Sequence, residues 1–430
     1  MVASVDSVLN GAKPIEPPVP ISAKAKKADA DIGRKVPVLS WGQDAVFSFL
    51  WGHNIPIVIE NVNSKLKCRW TPDAFVYSHG QDIVSMIRCP QSTDEAKVES
   101  VTVKQFFEEF KVQSRKDVVK VKDWPPSADL SIRFMKYFTD FMDAVPMPSY
   151  TRCDGLLNLA AHYPSPSSSG EYKSFKPDLG PKMYIATKDL YSKGSTPLHL
   201  DVTSAINILV HVEPNGSGGD GALWHIFSAQ DASNLREYLR QLGNTSPDPI
   251  HAQTTYLTDP MLADLWMQYG TRPYRVEQRY GDAVFIPAGC PHQVSNRSSC
   301  IKIACDFLCA EGVAASRIVS TEFQALGRED ILQLDVMIWH CWSSLLRLSM
   351  VVADDKDKQE VQPTRSQRKR KGGRATNGAR DDRVRKKRQR NSESNPRLYD
   401  AGTFRFSCPH PVCEGSTRLP FDLNGVLCHL

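Results

Sequence analysis

The 430-residue sequence predicts a mainly β fold with helices: a double-stranded β-helix, the cupin-like jelly roll, with helical insertions and flanking helices. Three observations point there. From Lys182 onward, short β-branched runs alternate with turn signals, notably Ala205 to Val212, Asp282 to Ile286 and Cys300 to Leu308. Thr196-Pro-Leu-His-Leu-Asp-Val202 places an imidazole and a carboxylate two residues apart ahead of the first run. Gly281-Asp-Ala-Val-Phe-Ile-Pro-Ala-Gly-Cys-Pro-His292 spaces Gly, Pro, Gly and His as cupin barrels do.

Residues 1–36, rich in Pro, Ala, Lys and Asp without apolar periodicity, read as a disordered tail. The domain then runs over 37–350. Trp41 to Trp51 has helical apolar spacing, and Ile55 to Glu60 reads as a buried strand. Val101 to Phe110 and Ser131 to Met142 read as helices, with loops at Trp124-Pro-Pro, Pro146-Met-Pro and Pro164 to Gly170. Ala229 to Leu242 and Pro260 to Gly270 are expected as helices of an insertion, taken as Gly221 to Pro273, that separates the first two polar residues from His292. Leu332 to Leu348 is an amphipathic helix expected to close the domain.

On a strand, residues i and i+2 point to one side, so His199 and Asp201 converge. His292 completes a set of two histidines and one carboxylate. Such a set occupies one face of an octahedron and leaves the other positions open, the arrangement of non-haem Fe(II) oxygenases. Alone, a His-x-Asp pair is weak; joined to the Pro287-Ala-Gly289 turn that aims His292 inward, it points to a metal site. Alternation puts Asn207, Leu209 and His211 on one face of their strand and the aliphatic residues on the other. The same rule puts Lys302, Ala304 and Asp306 together. A lysine inside a barrel is expensive unless an anion meets it, and a dicarboxylate cosubstrate such as 2-oxoglutarate supplies one. His211 is expected to be structural, and His225 a core or loop histidine.

No apolar stretch of about 20 residues occurs, Val336 to Val352 being interrupted by His340, Ser343, Ser344 and Arg347, so membrane insertion is not expected. The N-terminus has no charged segment followed by an apolar core. Eleven cysteines, odd in number and scattered, fit reduced thiols. The net charge of +5 is uneven: Arg365 to Arg390 holds thirteen Lys or Arg and two Asp, a local +11, which leaves −6 for the rest. Residues 351–400 are therefore expected as a disordered basic linker. Its runs at Arg368 to Lys371 and Arg385 to Arg390 fit a bipartite nuclear localisation signal, with non-specific, salt-sensitive DNA contact as a second role. Within 401–430, Cys408, Cys413 and His429 resemble a two-Cys, two-His zinc finger cut off before its last histidine, which His410 or Cys428 would have to replace.

Several stretches together resemble the JmjC (jumonji C) histone lysine demethylases, in the branch acting on mono- and dimethylated lysine nine of histone three. They are Lys122-Asp-Trp-Pro-Pro126, Pro148 to Leu159, Pro177 to Tyr184, Leu198 to Val202, Gly221 to Ile226, Asp248-Pro-Ile-His251, Gly281 to Val294 and Ser299 to Lys302, in family order. The resemblance implies that His199, Asp201 and His292 bind Fe(II), and that Thr196, Asn207 and Lys302 contact 2-oxoglutarate, Lys302 at the distal carboxylate. It implies consumption of O2, hydroxylation of an N-methyl group and release of formaldehyde from the hemiaminal, with histone tails in chromatin as substrate and a nuclear location. A protein hydroxylase, or a chromatin-bound regulator with weak catalytic activity, are the alternatives. The sequence departs from the branch in three ways. Members carry a long N-terminal region with a zinc-finger module, whereas about 36 residues precede the domain here. His211 stands where Tyr is expected and Cys290 where Ala is expected, both near the pocket.

Overall fold

The computed structural model describes residues 33–360 apart from 90–95, 113–115, 127–129, 164–176, 191–192, 215–220 and 331, and gives side-chain surroundings up to 347. The expected loop at Pro164 to Gly170, the basic linker beyond 360 and the zinc-finger-like island lie outside the described residues. Fourteen strands occur among those described. In chain order they are β1 Arg34–Lys35, β2 Val38–Leu39, β3 Ile57–Ile59, β4 Ile83–Cys89, β5 Lys97–Thr102, β6 Val118–Trp124, β7 Lys182–Ala186, β8 Thr196–His199, β9 Ser204–Val212, β10 Ala222–Ile226, β11 Tyr274–Gln278, β12 Ala283–Ile286, β13 His292–Asn296 and β14 Cys300–Phe307.

They form two sheets, a minor one in the order β1-β11-β10-β13-β8 and a major one in the order β2-β3-β12-β9-β14-β7-β6-β4-β5. The core ladders are antiparallel, as a jelly roll requires. Alternation along β9 works as expected: Ile206, Ile208 and Val210 enter the outer core, while Asn207 faces the cavity between the sheets.

Behind the major sheet lies the largest core, covered by the helices Asp44–Trp51, Pro72–His79, Val103–Phe110 and Met135–Ala144. Val103–Phe110 opens with a reciprocal capping box between Thr102 and Gln105, and its three phenylalanines are buried. Between the sheets sit Val58, Ile226, Val284, Ile286 and Val294. A third cluster packs the helices Ala232–Gln241 and Asp259–Tyr269 against Leu198 and Leu200, which flank His199. The region expected as an insertion thus buttresses His199.

Three boundaries differ from expectation. The domain begins before residue 37, because β1 pairs in parallel with β11. Ala222–Ile226 is no part of an insertion: it is the central strand of the minor sheet, paired with β13 along its whole length. The closing helix, Leu334–Glu360, continues past Leu348 into the stretch expected as disordered. The chain divides into a unit ending at Arg347 and another beginning at Leu348. No helix among the described residues is long and apolar enough to cross a membrane.

A three-ligand cluster in a cavity between the sheets

His199 ends β8 and His292 begins β13, and the antiparallel register sets them directly opposite each other. Their rings lie 4.2 Å apart between centroids. Asp201 follows two residues after His199, and its Oδ2 is 3.7 Å from His292 Nε2. One ligand atom from each of the three lies within 4.8 Å of the other two, near enough for a single ion with bonds of about 2 Å. Each imidazole is oriented by the backbone, His199 Nδ1 at 2.8 Å from the Pro197 carbonyl and His292 Nδ1 at 3.0 Å from the Cys290 carbonyl. That leaves Nε2 of both rings for a metal, the arrangement that outer hydrogen bonds impose on metal-binding histidines.

The turn before His292 is locked to the segment that carries His199 and Asp201. Gly289 adopts φ +70°, a left-handed conformation that glycine takes without strain, and its N–H donates to the Asp201 carbonyl at 3.0 Å. Burial, reinforced by the neighbouring His199, pushes the His292 imidazole down to about 4. The neutral ring is the form that ligates a metal.

The cluster lines a cavity of about 340 Å³. Thr196, Asn207 and Lys302 line the same cavity, so all six residues singled out in the sequence for iron and cosubstrate come together. Lys302 is buried; its Nζ donates to Asn296 Oδ1 at 2.6 Å and sits 5.5 Å from the Trp224 ring centroid. Gln278 fixes two walls at once, accepting from Trp224 Nε1 at 2.9 Å and donating to the Asn207 carbonyl at 3.0 Å.

The donor set fits a non-haem iron with a dicarboxylate beside it, because two imidazoles and a carboxylate stand together while the buried Lys302 lines the same cavity.

Several wall residues were not singled out from sequence. Tyr184, Asp123 and Asn296 reach the cavity through long-range strand pairing, and Gln253 from the loop between two helices. Between Val121 and Trp124 the β6–β7 register shifts by one residue, so Lys122 and Asp123 oppose Tyr184 alone. Asp123 adopts φ +54° at this bulge, which turns it toward the cavity. Asp306 lines the cavity on the Lys302 face, as alternation on β14 implied, and burial pushes its carboxyl up to about 8, with nearby Asp201 adding to the rise.

Neither His211 nor Cys290 lines the cavity: His211 is structural, as expected, and Cys290 is near the site through its carbonyl, 3.0 Å from His292 Nδ1. His211 pairs with Glu213 at 3.0 Å on the far end of β9, past the β9–β14 register shift that changes which side chains point inward. Cys290 packs in the apolar layer between the sheets; burial pushes its thiol up to about 12. His225 is a core residue, as expected, with Gln293 Nε2 at 3.3 Å from its ring.

A second cluster, Asp248, His251 and Glu322, has similar spacing. Arg236 donates to both of its carboxylates at 2.7 Å, so a guanidinium already supplies the cation and the network ties the helix Val313–Ala325 to the helical region. Arg236→Ala should cost about 2–3 kcal/mol in urea unfolding by leaving two half-buried carboxylates uncompensated, without changing metal affinity at His199.

Comparison with known proteins agrees with this geometry. The family described as JmjC domain, hydroxylase, matches residues 192–307. Lysine-specific demethylase 3A of Homo sapiens is 35% identical over 348 residues, covering 69% of this chain and 26% of that protein. Lysine-specific demethylase 3 of Drosophila melanogaster is 33% identical over 350 residues, covering 69% and 40% respectively. The probable JmjC domain-containing histone demethylation protein 2C of Homo sapiens is 27% identical over 370 residues, covering 73% and 14%. The chain thus spans about a quarter of the length of the demethylase 3A relatives. It carries a JmjC domain, and the His199, Asp201 and His292 cluster lies within that domain.

Proposed function

We propose that the protein is an Fe(II)- and 2-oxoglutarate-dependent oxygenase that demethylates histone lysine, with mono- and dimethylated lysine nine of histone three as the favoured substrate. The observation that carries the reading is the convergence of His199, Asp201 and His292 in the cavity that also holds the buried Lys302. The relatives' names, which describe lysine-specific demethylases, support the choice of methyl-lysine.

His199 Nε2, Asp201 and His292 Nε2 hold the iron in this scheme. Bound there, Fe(II) with 2-oxoglutarate and O2 supplies the oxidising power to hydroxylate an N-methyl group, the cosubstrate leaving as succinate and CO2. The chain does the rest. Lys302 attracts the cosubstrate's distal carboxylate, Thr196 and Asn207 border its path, and the packed sheets limit entry of water. Asp123 gives the wall an acidic side, which suits a cationic alkylammonium. The hydroxymethyl amine formed is a hemiaminal and collapses to formaldehyde and the shortened amine.

The basic runs at Arg368 to Lys371 and Arg385 to Arg390 would direct the protein to the nucleus, where salt-sensitive DNA contact would add to its retention on chromatin.

Incubating the full chain with Fe(II), 2-oxoglutarate and methylated histone peptides should release formaldehyde and reduce peptide mass by one CH2 per methyl removed. A stable product heavier by one oxygen would instead mark a protein hydroxylase. If His199→Ala left the cellular phenotype intact while deletion of residues 365–390 abolished it, a chromatin-bound regulator would replace the enzyme reading.

A further inference from the structure

The hydrogen-bond partner of Lys302 is a neutral amide. A buried ammonium needs a partner, and a carboxylate would be the stronger one. Here Asn296 Oδ1 accepts from Lys302 Nζ at 2.6 Å, and the Cys300 thiol donates to the same oxygen at 3.5 Å. Asn296 and Lys302 are each 6% exposed. No salt bridge to Lys302 is formed among the described residues; its direct partner is the amide, while the buried Asp189 carboxylate acts on it only from behind Asn296.

Asn296 is itself clamped. Its N–H donates to Asp189 Oδ2 at 2.7 Å, and its carbonyl accepts from the Asp189 N–H at 2.8 Å. It also ends the strand that His292 begins. Residues i and i+4 on a strand share a face at a separation of about 13 Å. One rigid strand therefore carries a metal-ligating histidine at one end and the partner of the anion-binding lysine at the other, with Val294 lining the cavity between them.

We propose that Asn296 is a positioning residue for the cosubstrate: its amide oxygen aims the Lys302 ammonium into the cavity without forming a direct ion pair with it, so that the site selects a 2-oxo acid bearing a second carboxylate. This rests on the reading of Lys302 as the anchor of 2-oxoglutarate. Isosteric replacement by Asp should then do more harm than truncation to Ala, because the new carboxylate pairs with Lys302 and competes with the ligand's own. A packing role alone gives the opposite order, since Asp keeps the volume and the acceptor oxygen.

The test is calorimetric titration of the full chain, loaded anaerobically with redox-inert Mn(II), with 2-oxoglutarate and with the monocarboxylate 2-oxobutanoate. Asn296→Ala should weaken 2-oxoglutarate about fivefold and Asn296→Asp at least about fiftyfold, while 2-oxobutanoate and Mn(II) affinities stay within about twofold. Asn296→Asp binding 2-oxoglutarate as well as the Ala variant, or better, would overturn the proposal. Lys302→Ala separates the two levels. If it leaves 2-oxoglutarate affinity unchanged, the anchor reading fails and takes the proposal with it. If it weakens binding while Asn296→Asp does not, only the proposal fails.

Discussion

Replacing His199 by alanine is expected to reduce 2-oxoglutarate turnover to background and to weaken Mn(II) or Fe(II) binding by more than about 100-fold, since the loss of a direct ligand should exceed the 10- to 100-fold typical of changes in the outer shell. The remaining pair, Asp201 and His292, would hold an ion through two bonds only. His199 is only partly buried, so the variant should fold. Its thermal transition should match the parent's, while succinate formation disappears. His211→Ala is the matched control. That imidazole is bound to Glu213 outside the cavity, and its removal should leave metal affinity unchanged. Loss of metal binding in His211→Ala would mean that the ligand set has been wrongly drawn.

The second large effect concerns the fold. Phe285 on β12 is fully buried, with its ring 4.9 Å from Phe47, 5.9 Å from Trp51 and 6.3 Å from Phe307. Its neighbour Ile286, on the opposite face of the strand, lines the cavity. Phe285→Ala should cost about 3–5 kcal/mol, from lost burial and from the void left in an aromatic cluster that cannot collapse fully. Chemical denaturation would read this directly. Because β12 is anchored on both edges by β3 and β9, the triad should keep its Mn(II) affinity at low temperature in the variant. A large loss of affinity under those conditions would mean that the outer core, and not the strand pairing alone, holds the turn before His292 in place.

These two expectations show which parts of the molecule are local in the chain and which are not. The convergence of His199, Asp201 and His292 was legible because its signals are local: His199 and Asp201 share a short motif, and His292 follows a turn whose Gly289 takes positive φ. The same holds for β9, β12 and β14, whose alternation or apolar runs state their own burial. The strands β4 and β5 carried no such signal, and β6 carried it only over Val119-Lys-Val-Lys122. Lys97, Glu99 and Lys120 give them a polar face, and only packing against Phe106, Phe107 and Phe110 decides which side is buried. Tyr184, Asp123 and Asn296 were invisible as wall residues for a related reason. Each owes its place to a register or a bulge between strands far apart in sequence, and no local spacing records those. Cys290 and His211 show the converse case, since closeness to His292 or to a polar face in sequence brings neither side chain into the cavity.

The most direct test of the account is the stoichiometry of Fe(II) binding by the full chain under anaerobic conditions, with and without 2-oxoglutarate. One Fe(II) per chain is predicted, bound more tightly when 2-oxoglutarate is present, and lost in the His199→Ala and His292→Ala variants. Unchanged iron binding in either variant would contradict the assignment of His199, Asp201 and His292 as the metal site.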